Sequence, residues 1–185
     1  MSGDGLFKDK YRIKSIRLPE WDYGSEGAYF ITICVKNREC VFGEIINRKI
    51  CLSKIGETVQ TIWNETPHHF DNVKLDGFIV MPNNVHGVVI INNDHCRDVA
   101  CNISTENIMS RISPKSKSLP TIIRSFKSAV TKKCDENGLY FSWQPRYYEH
   151  IIRNENELNS IRKYIINNPL QWELDRNNPQ SLKNH

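Results

Sequence analysis

The stretch Val73-Lys-Leu-Asp-Gly-Phe-Ile-Val-Met-Pro-Asn-Asn-Val-His-Gly-Val-Val-Ile-Ile91 decides how this chain folds. Val73–Met81 and Val85–Ile91 are apolar, β-branched runs of strand length. Pro82-Asn83-Asn84 between them is turn chemistry. A hairpin in mid-chain predicts an antiparallel sheet. Side chains alternate along a strand, so Asn84, His86, Val88 and Ile90 share one face. A polar pair at positions i and i+2 can hold one metal ion. The plainer alternative is a turn asparagine followed by a histidine satisfied within the fold.

Upstream, Ala28–Val35 is a strand by its β-branched and aromatic content. Phe42–Ile46 and Lys49–Leu52 flank Asn47-Arg48 as a short hairpin. Ser53 is placed to cap a helix in which Ile55, Val59, Ile62 and Trp63 recur at helical spacing, and Pro67 is expected to end it. Downstream, Ile122, Ile123, Phe126 and Val130 mark a helix over 120–137, with Arg124 and Lys127 off its apolar stripe and Gly138 as its stop. Tyr140–Trp143 and Tyr147–Ile152 read as extended, which puts Tyr147 and Tyr148 on opposite faces with one of them packed inward. Asn154 caps a last helix, Glu157 nearly completes a capping box, and Pro169 marks the helix end.

The order β, hairpin, α, β-β, α, β, α does not alternate strictly, which argues against a doubly wound parallel sheet. It predicts an α+β fold: a ferredoxin-like antiparallel sheet with helices packed on one side, plus a small hairpin insertion. The expected organisation is a basic N-terminal arm (1–27), one domain (28–175) containing a flexible loop (92–118), and a polar tail (176–185).

The 185 residues suffice for one domain with a real core. A net charge of +4 says little alone, but its distribution says more. From Arg111 to Arg153 nine Lys and Arg face only Asp135, Glu136 and Glu149, a local +6, so the remainder sums to −2. Such a segment is either a solvated helix surface or a nucleic-acid face. Arg124, Lys127, Arg146, His150 and Arg153, interleaved with Trp143, Tyr147 and Tyr148, are the candidate DNA contacts, because cations beside aromatic rings suit single-stranded or hairpin DNA. Six scattered cysteines without a C-x-x-C pair suggest neither a zinc site nor a disulfide framework. Reduced thiols, no apolar run near the N-terminus and no stretch of about 20 apolar residues lead to the expectation of a cytoplasmic protein without a membrane partner.

In Arg162-Lys-Tyr-Ile-Ile-Asn-Asn-Pro169, Tyr164 and Asn168 are four apart and share a helix face, beside the apolar stripe of Leu158, Ile161 and Ile165. A tyrosine there can reach a cleft beside the sheet; the plainer alternative packs its ring and leaves its hydroxyl wet.

Met81-Pro-Asn-x-x-His86-Gly, then Trp143-Gln-Pro-Arg-Tyr-Tyr-Glu-His-Ile-Ile-Arg153, then Tyr164-Ile-x-x-Asn168-Pro169 resemble the REP-associated tyrosine transposases, single-tyrosine enzymes of the HUH class, over residues 26–175. The resemblance implies that Tyr164 is the nucleophile and that His86 and Asn168 bind a divalent metal, Mg²⁺ or Mn²⁺. It implies cleavage and rejoining of single-stranded, REP-like hairpin DNA through a 5′-phosphotyrosine bond, which conserves the energy of the broken link. Asn84 stands where the family has the first histidine of its His-hydrophobic-His motif. An amide oxygen can ligate Mg²⁺ or Mn²⁺ but is a weaker donor than imidazole to softer ions. A DNA-binding protein with weakened cleavage is therefore the alternative. A ferredoxin-like RNA-binding domain ranks below both, because it leaves the pairing of Tyr164 with Asn168 without a purpose. Related transposases can work as dimers that exchange tyrosines between subunits, whereas REP-associated members need not, which leaves a homodimer open.

Overall fold

A computed structural model describes residues 24–92, 117–175 and 178–179. Residues 1–23 of the expected arm, 93–116 of the expected loop and nearly all of the expected tail lie outside the described residues.

Strand β1 (Gly27–Cys34) starts the sheet, followed by a hairpin of β2 (Gly43–Ile46) and β3 (Lys49–Leu52) that forms a separate two-stranded sheet. Asn47 and Arg48 both have positive φ, 50° and 61°, the backbone of a two-residue turn whose twist matches its strands. Helix α1 (Lys54–His69) follows, capped by the Ser53 hydroxyl accepting from the Gly56 N–H. Pro67 lies inside α1 rather than ending it. In the final turn the missing proline N–H removes one bond, and the helix runs two residues further.

Strands β4 (Val73–Val80) and β5 (Asn84–Ile91) form the expected hairpin. Helix α2 (Leu119–Glu136) stops at Asn137 and Gly138, whose φ of +69° is left-handed backbone. Strand β6 (Tyr148–Ile152) and helix α3 (Glu155–Asn167) complete the fold, and a 3₁₀ stretch, Asn168–Leu174, begins at the residue before Pro169.

The main sheet has the order β4-β5-β1-β6, antiparallel throughout. Leaving out the hairpin and α3, this is the βαββαβ ferredoxin-like pattern, as expected. Helices α1 and α2 cover one face. Their Val59, Trp63, Ile122, Phe126 and Val130 pack with Tyr29, Ile31, Ile33, Val85, Val89 and Ile91 into the main core. Gly87 is required there, because a Cβ would sit 2.6 Å from the Trp63 ring and 3.1 Å from Phe78. The structure adds α3 on the opposite face, a placement beyond the expected one-sided packing. Its Leu158 and Ile165 close over Phe30, Val88 and Ile152 in a second, smaller core.

Candidate functional site

The alternation that sends Val85, Gly87 and Val89 into the main core sends Asn84, His86 and Val88 to the α3 face. Register adds to this face. On β1, Cys34 lies opposite Asn84, Thr32 opposite His86 and Phe30 opposite Val88. On β6, Tyr148 lies opposite Thr32 and His150 opposite Phe30.

His86 is 2% exposed, and its Nδ1 is held by the Thr32 hydroxyl at 2.8 Å. Its ring stacks on Phe30 (centroids 5.7 Å apart, 14° between planes), and Tyr164 meets it edge-on at 5.3 Å. Tyr164 also meets Phe30 edge-on at 5.9 Å while remaining 42% exposed. A ring wedged against the sheet with its residue partly open can present a hydroxyl to an incoming chain. Asn168, one turn on, is 3% exposed. The face thus brings His86 and Tyr164 into direct contact.

Asn84 is fully buried; its Nδ2 donates to Asn83 Oδ1 at 3.0 Å, but its own Oδ1 accepts no hydrogen bond. Asn168 Oδ1 is likewise buried and accepts none. Leaving a buried amide oxygen unsatisfied costs roughly 1–3 kcal/mol, so each of these two oxygens is available to accept from or ligate a further group. The donor set, two amide oxygens and an imidazole, fits a hard divalent cation. Among the described residues, no three His, Cys, Asp or Glu side chains cluster to hold a metal.

Two polar devices hold α3 over the sheet. Arg162 donates from Nε and Nη2 to the two carboxylate oxygens of Asp76 at 2.8 and 2.7 Å, and from Nη1 to Glu155 and Asn159. The fork lands where β4 is irregular, between Leu75 and Phe78. The Arg162 hydrogen bond holds the Asp76 carboxyl below the ordinary aspartate value, and Asp76 in turn raises Arg162. At the start of α3, Asn154 Oδ1 accepts from the Glu157 N–H, and Glu157 accepts from the Arg153 N–H at 2.7 Å and pairs with His150 Nε2 at 2.6 Å. The Arg153 N–H and then His150 keep the Glu157 carboxyl below its ordinary value.

The expected DNA contacts divide. Arg124, Arg146, His150 and Arg153 are exposed, although His150 is engaged by Glu157. Lys127 has an internal task. Its ammonium donates to the Gln144 and Arg146 carbonyls at 2.8 and 3.3 Å and lies 5.7 Å from the centre of the Trp143 ring, and burial draws its pKa below the ordinary lysine value. Tyr147 packs on the main core and Tyr148 is 41% exposed, the division that alternation predicted. Thr32 and the Arg162–Asp76 fork escaped the sequence reading. The alternation of Phe30, Thr32 and Cys34 hinted at the first; nothing local signals the second, whose partners lie 86 residues apart.

No family profile matches the chain. An uncharacterized protein from Haemophilus influenzae is 42% identical over 167 residues, spanning 88% of this chain and 91% of that one. The two proteins belong to one family. In solved structures, a REP-associated tyrosine transposase bound to a REP hairpin superposes with a TM-score of 0.58 at 18% identity, covering 89% of this chain and 77% of the other. The family therefore has the tyrosine-transposase fold. In that fold the antiparallel sheet carries Asn84 and His86 on its inner strand β5, and the added helix α3 brings Tyr164 against His86. Among the described residues no helix is long and apolar enough to cross a membrane.

Proposed function

We propose that this protein cleaves and rejoins single-stranded DNA bearing a hairpin, with Tyr164 as nucleophile and a divalent cation at Asn84, His86 and Asn168. One observation carries the reading: the Tyr164 ring lies edge-on to His86, whose strand also carries Asn84 with its amide oxygen buried and without a hydrogen bond, and one turn after Tyr164 the Asn168 oxygen is in the same state. The solved relative of this fold was captured with a REP hairpin, which supports the same class of partner here.

His86 and the two asparagines would hold the cation, Mg²⁺ or Mn²⁺, which supplies charge relief at the scissile phosphate. Thr32 fixes the His86 ring through Nδ1, leaving Nε2 as the nitrogen for ligation. Tyr164 attacks phosphorus through its hydroxyl oxygen. The phenol proton leaves to solvent or to the departing strand, and the 3′-oxygen departs as a hydroxyl. The product is a phosphotyrosine ester on the 5′ end. The reverse attack by a 3′-hydroxyl reseals DNA and returns the phenol, so no external energy source is needed. Arg146 and Arg153, both exposed, would contact the DNA phosphates.

The test is incubation with labelled hairpin DNA and a Mn²⁺ titration, read on a denaturing gel. The parent chain should form a covalent adduct and Tyr164→Phe none, with DNA binding retained. Asn84→His should form the adduct at lower Mn²⁺. Hairpin binding without an adduct at any metal concentration would establish the binding-only alternative instead.

A further inference from the structure

Phe30 is the hub of an aromatic cluster that the nucleophile alone does not explain. Its ring has His86 at 5.7 Å, Tyr164 at 5.9 Å and Tyr148 at 6.4 Å, the two tyrosines both edge-on. Tyr164 comes from α3, whereas Tyr148 stands on the edge strand β6, opposite Thr32, which is in turn opposite His86. The row Tyr148, Thr32, His86 therefore runs straight across three strands of the site face. Tyr148 remains 41% exposed at the outer end of that row, although its neighbour Tyr147 packs inward. Arg146 and Arg153 bracket β6 in the sequence, and both are exposed; on the Tyr148 face His150 is paired with Glu157. Glu149, the one acidic residue of the strand, is opposite Ile31 and so lies on the other face.

We infer that Tyr148 is a stacking shelf for one unpaired base next to the phosphate that Tyr164 attacks. The inference rests on the proposed function, since it requires single-stranded DNA on this face. A half-open ring at the edge of a site, with cations along the same strand, suits a nucleobase, whose flat surface covers the ring while its phosphates meet the arginines. An apolar protein segment would also bury the ring but would bring no charge complementary to the exposed Arg146 and Arg153. Stacking here would fix the approach of the strand to Tyr164 from the β6 side. Tyr148 is thus a positioning residue, distinct from the metal site and the nucleophile.

The experiment is a binding cycle. A hairpin with a single-stranded flank is titrated by fluorescence anisotropy against the parent chain, Tyr148→Phe and Tyr148→Ala, with an abasic site moved along the flank one nucleotide at a time. Tyr148→Ala should weaken binding of the intact strand about tenfold or more, the loss of one base–aromatic stack, while Tyr148→Phe stays near the parent. At one flank position the abasic site should weaken the parent by the same factor and leave Tyr148→Ala unchanged. As a check that needs no variant, 2-aminopurine at that position should be quenched on binding the parent chain. Equal abasic losses in the parent and Tyr148→Ala at every position, or no quenched position, would overturn the shelf while leaving the proposed function standing. If the parent chain does not bind the hairpin at all, both are overturned.

Discussion

The two faces of the sheet are built from the same strands by opposite means. On the α1–α2 face, packing is continuous and apolar, with Trp63 stacked on Phe78 at 4.5 Å and edge-on to Phe126 at 5.3 Å. On the α3 face, Leu158 and Ile165 close a smaller apolar core over Phe30, Val88 and Ile152, and the Arg162 fork and buried polar side chains share the rest of the face. The strands supply both by alternation: β5 gives Val85, Gly87 and Val89 to one side and Asn84 and His86 to the other. The first face carries stability. The second is where the buried polar side chains His86, Asn84 and Asn168 lie beside a smaller apolar core.

The comparison can be broken most forcefully at Trp63. Trp63→Ala should cost about 3–5 kcal/mol in urea unfolding, since it empties a fully buried aromatic site against Phe78, Phe126 and Gly87. A loss below about 1 kcal/mol would mean that this face is not where the stability resides. A smaller effect should follow from Asp76→Asn, and it should depend on pH. The Asp76 carboxyl lies below its ordinary value when folded, so its contribution is complete above the unfolded aspartate pKa of about 4 and is lost as pH falls through the lower folded value. Parent and variant should differ at neutral pH in hydrogen exchange of the α3 amides and converge in acid; a gap that persists there would assign the effect to shape and not to charge. The smallest effect is expected at the site itself. Asn84→Leu keeps the branched shape and heavy-atom count, and it removes a buried oxygen that accepts no bond together with the Nδ2 hydrogen bond to Asn83, so its stability should stay within about 1.5 kcal/mol of the parent. If it unfolds the chain, Asn84 is a structural residue.

Periodicity and turn chemistry made the fold class legible. The hairpin at Pro82–Asn84, the apolar stripes of α1 and α2, and the Asn154 cap all lie where local spacing put them. Proline was misleading at Pro67, because position within a helix decides what a missing N–H costs. The side of the sheet that α3 would cover was not legible, since an amphipathic helix carries no label for its face. The candidate site was legible as pairs, Asn84 with His86 and Tyr164 with Asn168. That Tyr164 meets His86 depends on the seating of α3, which rests on Arg162 and Asp76, far apart in sequence. Lys127 shows the opposite limit: a cation off the apolar stripe looks like a surface charge until the loop it fastens is seen.

The order β4-β5-β1-β6 also has a consequence in time. Residues 28–32 of β1 pair with 148–152 of β6, so a strand made early in synthesis waits for one made near the end. Until β6 emerges, β1 has an open edge, and Thr32 and Phe30 lack their outer neighbours. A chain interrupted before residue 148 would keep Asn84 and His86 but have neither β6 nor α3. The whole arrangement therefore arrives at once, late, through long-range closure, and a slow, cooperative final step is the expected signature of its folding.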